Sequence, residues 1–374
     1  MTVVAERVMP RYAAELSPAP SPFARARKAI DAASTTVREH VQERYLDFRE
    51  PLRSRFQTTG EIFQGVKTPE ERHESAARMW RAVADESSNE LNGLVVAGGA
   101  MAGINNAVEL EVLRETDNLR KFDVVVTDSA GTGNFLCALA APHITSDLYL
   151  DLAKTGFIRK RPGGMQLRRL MHKLMDNVDL EKIQEGPDWF IGITDEFGHK
   201  QLVDAKKQTP RNLFGAVYAS MAAPLLFNER VLMDDGPRID SSVSGLATEE
   251  LLKFGVKNVC VLLNDTEEDL ANLDRAPLKE NLALRAAMWW GGYSRALTQA
   301  TIDRRKALKR SLTLLDHNPN INVDIVIAPH GMNWITPDVK TLREIRDMTR
   351  EDFEERLRRF GVIKDTTTTA PMLV

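Results

Sequence analysis

Phe122-Asp-Val-Val-Val-Thr-Asp-Ser-Ala-Gly131 decides how this chain is read. The β-branched run Val124-Val125-Val126 suits a strand. It stops at Asp128-Ser129-Ala130-Gly131, and a helix-compatible run from Asn134 to Ala141 follows at once. The order is strand, sharp turn, helix, with a serine at the apex. Such a turn lifts the hydroxyl out of a sheet and sets the next backbone N–H groups beside it. Those are a presented nucleophile and donors for an oxyanion, two parts that acyl transfer needs. The G-x-S-x-G form is half present, because Thr127 replaces the first glycine while Gly131 keeps the second. The same segment also reads as an ordinary helix start, since serine is a good N-cap.

Working outward, Leu94-Val-Val-Ala97 predicts a strand, followed by Gly98-Gly99-Ala100-Met101-Ala102-Gly103 and a helix from Ile104 to Arg114. Further strands are expected at Trp189–Thr194, Leu202-Val203, Val231–Met233, Val259–Leu263 and Val323–Ala328. Helical patterns fill Asp147–Met175, Leu213–Met221 and a long stretch from Glu280 to Leu315. Strands alternating with helices imply an α/β fold with a mainly parallel sheet. Sites in such sheets form at the carboxyl ends of the strands. Gly98, Ser129 and Asp235 each closely follow a predicted strand.

Composition sets outer bounds. The 374 residues are 43% hydrophobic and 28% charged, with a net charge of −3. That suits a soluble globular enzyme and supplies no global basic field for nucleic acid. The two cysteines, Cys137 and Cys260, sit in apolar runs. Buried thiols in a reducing compartment are therefore expected. The N-terminus carries Glu6, Arg7 and Arg11 and lacks a continuous apolar core. A cytoplasmic protein without a signal peptide or membrane span is the expectation. Residues 1–88 read as an N-terminal helical extension, with a linker signal at Ser17–Pro22. The compact α/β domain is placed at 89–335, and a C-terminal helix and tail at 336–374.

Three segments together resemble the bacterial patatin-like phospholipase family. Gly98-Gly99-Ala100-Met101-Ala102-Gly103 resembles its glycine-rich oxyanion loop, and Thr127-Asp128-Ser129-Ala130-Gly131 its serine elbow. Asp235-Gly236-Pro237 resembles its Asp-Gly-Gly/Ala element. Ala219-Ser220-Met-Ala-Ala-Pro224-Leu-Leu-Phe227 is similar to its Ala-Ser-x-Ala-x-Pro-x-x-Phe run. The likeness runs from about Gly93 to Gly245 and continues weakly through the strands at Val259 and Val323. It implies a three-layer α/β/α sandwich and hydrolysis of lipid acyl esters, of the phospholipase A or lysophospholipase type. Under it, Ser129 attacks and Asp235 is its base, without metal, cofactor or histidine. Gly98, Gly99, Ala100 and Ala130 form the oxyanion hole, with Gly131 and Gly236 supporting the turns. Ala102 stands where the family has Arg or Lys, and Ala100 and Thr127 replace glycines.

Other readings use different residues. A catalytically weak or silent relative that binds lipid or a partner is the alternative, prompted by Ala100, Ala102 and Thr127. A Ser-Asp-His triad would draw on His317 or His330, although both lie in turn-like sequence. No Cys/His spacing suggests zinc, and neither a dinucleotide fingerprint nor a P-loop occurs. Met288-Trp289-Trp290-Gly-Gly-Tyr293, followed by Arg304-Arg-Lys306 and Lys309-Arg310, mixes aromatic and basic residues. That mixture suits weak peripheral association with a membrane surface, or alternatively a core-packed helix with a solvated basic face. The expected substrate partner is a phospholipid or another acyl-ester lipid.

Overall fold

The computed structural model describes residues 67–158, 164–227, 229–273, 278–329 and 338–364. The Ser17–Pro22 linker, the helical extension up to residue 66 and His330 lie outside the described residues. Helix α1 (Pro69–Ala84) comes first, closed at its start by a reciprocal capping box between Thr68 and Glu71. Strand β1 (Asn92–Val96), helix α2 (Ile104–Glu115), strand β2 (Val124–Thr127) and helix α3 (Ala130–Ala140) follow. Helices α4 (Asp147–Lys154) and α5 (Leu167–Asn177) precede strands β3 (Asp188–Asp195) and β4 (Lys200–Asp204). Helix α6 (Pro210–Ser220) then leads to β5 (Val231–Met233), β6 (Gly236–Asp240) and β7 (Asn258–Leu262). Helices α7 (Leu278–Trp290) and α8 (Arg295–His317), strand β8 (Asn322–Val326) and helix α9 (Val339–Arg359) complete the longer elements.

The expected α/β/α sandwich is present. The eight-stranded sheet runs β5-β6-β3-β2-β1-β7-β8, with β4 also paired to β3. Pairings among β1, β2, β3, β7 and β8 are parallel, whereas β4, β5 and β6 join antiparallel. Helices cover both faces. Leu94 and Val96 point into the core shared with α2, α3 and α6, and Val95 and Ala97 into the one shared with α8. A strand buried on both faces has no polar side to alternate with. That is why the central strands read as unbroken apolar runs.

Local chemistry accounts for the breaks. The long helical stretch from Glu280 to Leu315 divides at Gly291-Gly292, where Gly292 takes a φ of 71°. Ser294 then caps α8 by accepting from the Leu297 N–H at 3.0 Å. The Asp147–Met175 pattern likewise divides, between α4 and α5. Helix α1 packs on β8 and β7. Its fully buried Trp80 donates to Asp324 Oδ2 at 2.7 Å, and Arg356 of α9 donates to the same oxygen at 2.8 Å. The indole and the guanidinium together compensate a carboxylate that burial alone would disfavour.

Candidate active site

Strand topology creates the site. Strand β4 occupies one edge of β3 along Phe190–Thr194. Both β2, against Asp188–Ile191, and β6, against Ile193–Asp195, must therefore share the other edge. They run toward each other, so the second residue after β2 meets the last residue of β6. Those residues are Ser129 and Asp240. Ser129 Oγ donates to Asp240 Oδ2 at 2.5 Å.

Ser129 has φ 52° and ψ −125°, a conformation that costs a non-glycine residue on the order of 1–3 kcal/mol. Close packing holds it there. A Cβ on Gly98 would lie 2.6 Å from the Ser129 Cβ, and one on Gly131 would lie 2.4 Å from the Val96 carbonyl oxygen. The first glycine lets the loop after β1 cross over the serine, and the second lets α3 start against the sheet. The Ser129 N–H donates to Ser220 Oγ at 3.0 Å, fixing the turn from the end of α6. Thr127 needs no positive φ, because the strain falls on Ser129. Its hydroxyl accepts from Trp189 Nε1 at 2.9 Å and from Thr132 Oγ1 at 3.0 Å, which suits a fully buried threonine.

Asp240 is 1% exposed. Its Oδ1 accepts from the Ser242 N–H at 2.8 Å and from Ser242 Oγ at 2.6 Å. Burial pushes its pKa up to about 6, against the lowering pull of the Ser129 and Ser242 hydrogen bonds, and the nearby Asp128 charge pushes the same way as burial. Asp128 has its own counterion. Lys200 Nζ reaches both Asp128 oxygens at 2.9 Å and also donates to the Gly245 carbonyl. That ion pair is nearly dry, with side chains 8% and 1% exposed.

The expectation for Asp235 is corrected by this geometry. Asp235 lies in the β5–β6 turn, its side chain 64% exposed and paired with Arg238 at 2.6 Å. Five residues of extended chain, on the order of 15 Å, separate it from Asp240. Gly236 turns at φ 121° to close that hairpin, so its support is given to the turn and not to the serine. His317 ends α8, exposed and just before the amino end of β8, away from the strand ends that carry Ser129.

The loop after β1 passes Ser129 at Gly98, Gly99 lies against Asn264, and Ala100 lines the same cavity as Ser129. The N–H groups of Gly99, Ala100 and Ala130 donate to no other group among the described residues. Ala100 takes a φ of 47°, a conformation that glycine adopts more easily. Two asparagines hold the loop from behind. Asn264 Nδ2 donates to the Ala97 and Gly98 carbonyls, both at 3.1 Å, and Asn106 Nδ2 to Ala97 O at 2.8 Å. In front, Asn134 donates to Gly103 O at 2.6 Å and accepts from the Tyr149 hydroxyl at 2.8 Å. Ala102 is buried in the apolar core, so this loop carries no cation at that position.

Ser129 opens onto a cavity of about 50 Å³. Its walls are mainly apolar: Leu148 and Leu152 from α4, Leu170 and Leu174 from α5, Met101, Phe157, Met221 and Leu226. Asp240, Lys200 and Asn264 are the site residues that sequence reasoning missed. Asp240 left one local signal, a strand-like Arg238-Ile239-Asp240 ending in Ser241-Ser242. Lys200 left none, since a lysine in a short edge strand reads as solvated.

No protein-family model matches this chain, and no curated protein matches it. Among solved structures it is similar to VipD from Legionella pneumophila, with 13% identity and a TM-score of 0.37, over 73% of this chain and 67% of that one. So distant a likeness carries no argument about the site, whose interpretation stands on the geometry above.

Proposed function

We propose that this protein is a serine hydrolase of lipid carboxylic esters, of the patatin-like type, with Ser129 as nucleophile and Asp240 as its base. The observation that carries the reading is the 2.5 Å contact between Ser129 Oγ and Asp240 Oδ2, made at a strained strand-to-helix turn. An ordinary N-cap serine accepts from N–H groups of its own helix, and Ser129 makes no such bond. Its hydroxyl is instead aimed at a buried carboxylate, and its backbone is held away from helical geometry.

The steps follow from the groups present. Asp240 takes the Ser129 proton as Oγ bonds to the ester carbonyl carbon. The carbonyl oxygen becomes an oxyanion, for which the free N–H groups of Gly99, Ala100 and Ala130 supply donors. Collapse expels the alcohol, which takes its proton from Asp240 and leaves an acyl-serine. Water then gives a proton to Asp240 and attacks the acyl carbon. The second collapse releases the carboxylic acid and returns the proton to Ser129 Oγ. A base whose pKa stands near 6 is charged at neutral pH yet still holds a proton strongly enough to exchange it. The apolar cavity beside Ser129 suits an acyl chain better than a polar head group.

The test is release of p-nitrophenol from butyrate and octanoate esters, together with labelling by a fluorophosphonate probe. Turnover and labelling in the wild type, both absent from a folded Ser129→Ala variant, are expected. A wild type that neither turns over esters nor takes the label would sink the reading and leave a silent lipid- or partner-binding protein.

A further inference from the structure

Helix α7 is apolar on two sides. Its Met288 is fully buried against Ile239, Val243, Tyr293 and Leu297, with Leu284 and Leu225 packed around them. The opposite side faces outward. Leu282 is 58% exposed, Trp289 71% and Trp290 41%, with Arg285 and Ala286 exposed between them. Positions 282, 285, 286, 289 and 290 recur at the three- and four-residue spacing of one helical stripe. A surface helix normally turns charge outward on such a stripe; this one turns out two tryptophans and a leucine.

The surroundings add positive charge. Arg230 donates to the Gly292 carbonyl and lies 5.2 Å over the Tyr293 ring. Arg285 donates to Gln299 at 2.7 Å, and Arg295 is exposed at the start of α8. None of the three pairs with a carboxylate among the described residues. The β3–β4 turn rests on the same corner, where Ser294 donates to the Glu196 carbonyl, and it carries Phe197 58% exposed. Glu196 and Asp195 are the acidic groups of that turn, the second largely enclosed and accepting from the Phe197 and His199 N–H groups.

The stripe is also tied to the site. Leu225 packs into the cluster beneath α7, the next residue, Leu226, lines the cavity at Ser129, and Ile239 of that cluster immediately precedes Asp240. We propose that the outward face of α7 is a docking surface for a lipid bilayer bearing anionic head groups, placed beside the cavity it would feed. Tryptophan favours the interfacial zone of a bilayer, and arginines without acidic partners favour its negative surface. A second copy of the chain is the poorer occupant. A two-fold contact would set the patch that carries Arg230, Arg285 and Arg295 against its own copy, positive on positive. The proposal rests on the hydrolase reading only for its purpose, because binding is measured without turnover.

The experiment is flotation of the full chain with vesicles of phosphatidylcholine and phosphatidylglycerol in equal parts, at low and high salt. The wild type should float with them, less at high salt and less with phosphatidylcholine alone. Trp289→Gln with Trp290→Gln should weaken partitioning on the order of 100-fold while leaving the circular dichroism and the rate on a soluble butyrate ester unchanged. A wild type that stays with the pellet at low salt overturns the proposal, as does a double variant that floats as well as the wild type. A wild-type dimer that the double variant breaks, with no flotation, overturns it in favour of a second copy. Failure of the hydrolase reading shows separately, as absence of soluble-ester turnover in the wild type.

Discussion

The two ends of β6 each carry an aspartate, and they differ in nearly every physical respect. Asp235, at the hairpin end, is mostly solvated and leans on Arg238. Asp240, at the other end, is enclosed, partnered by hydroxyls and one N–H, and pushed up to about 6. The Asp235 carboxylate stands 64% exposed, and only the Arg238 guanidinium that it meets is enclosed, at 6%. An enclosed carboxylate with a serine hydroxyl on it is a base in waiting. The difference teaches that the same side chain becomes a turn residue or a reactive group according to which neighbours the sheet brings to it.

The sharpest way to break this comparison is to exchange the roles. Asp240→Asn should lower kcat/KM on soluble esters by about 10³-fold or more, because the proton from Ser129 then has no acceptor. Retained activity in that variant would remove Asp240 from the mechanism. The buried charge beside it gives the next largest effect. Lys200→Met leaves Asp128 enclosed without a counterion, and a broken buried pair costs about 3–5 kcal/mol. Denaturant unfolding should show that loss, and Asp128→Asn in the same chain should recover most of it. If the double variant is no better than Lys200→Met alone, the lysine acts through packing and not through charge.

Asp240 also ties stability to pH. Its pKa is lifted from 3.8 to about 6, which corresponds to about 3 kcal/mol. The folded state binds this proton more tightly, so the favourable contribution is complete below pH 4 and is lost as pH rises through about 6. Asp240→Asn should thus match the wild type near pH 4 and exceed it at pH 8 by on the order of 1–3 kcal/mol in urea unfolding. Equal stabilities at both pH values would deny that Asp240 is held against its burial. The same ionisation should set the acid limb of kcat/KM near pH 6, read with a soluble ester. The smallest effect on turnover belongs to the other end of the strand. Asp235→Asn should change activity by no more than about twofold and cost about 1–2 kcal/mol of stability, because the enclosed Arg238 keeps Gln201 and the Pro237 carbonyl but loses its carboxylate. A large loss of turnover there would restore Asp235 as the base.

Legibility followed the range of the interaction. The turn at Ser129 was readable because its causes are adjacent in the chain: a β-branched run, a serine and Gly131. The glycine loop was readable for the same reason, through Gly98 and Gly99. Alternation of strands and helices gave the sandwich, and doubly buried strands announced themselves as unbroken apolar runs. Asp235 misled because Asp235-Gly236-Pro237 resembles the family's aspartate element, whereas the turn that Asp-Gly favours locally is what it makes. The division of α7 from α8 lay in plain view at Gly291-Gly292, but long helical propensity on both sides concealed it.

By itself the sequence determined the layers, the elbow and the loop that crosses it, since each depends on residues close together in the chain. Tertiary structure alone decided the partner of Ser129. Asp240 lies 111 positions away, and it arrives only because β4 takes one edge of β3 and leaves β2 and β6 to meet along the other. The same holds for Lys200, whose side chain leaves solvent because Asp128 and Gly245 wait inside the sheet's edge. Edge occupancy in a sheet is a property of all its strands together, and no local pattern records it.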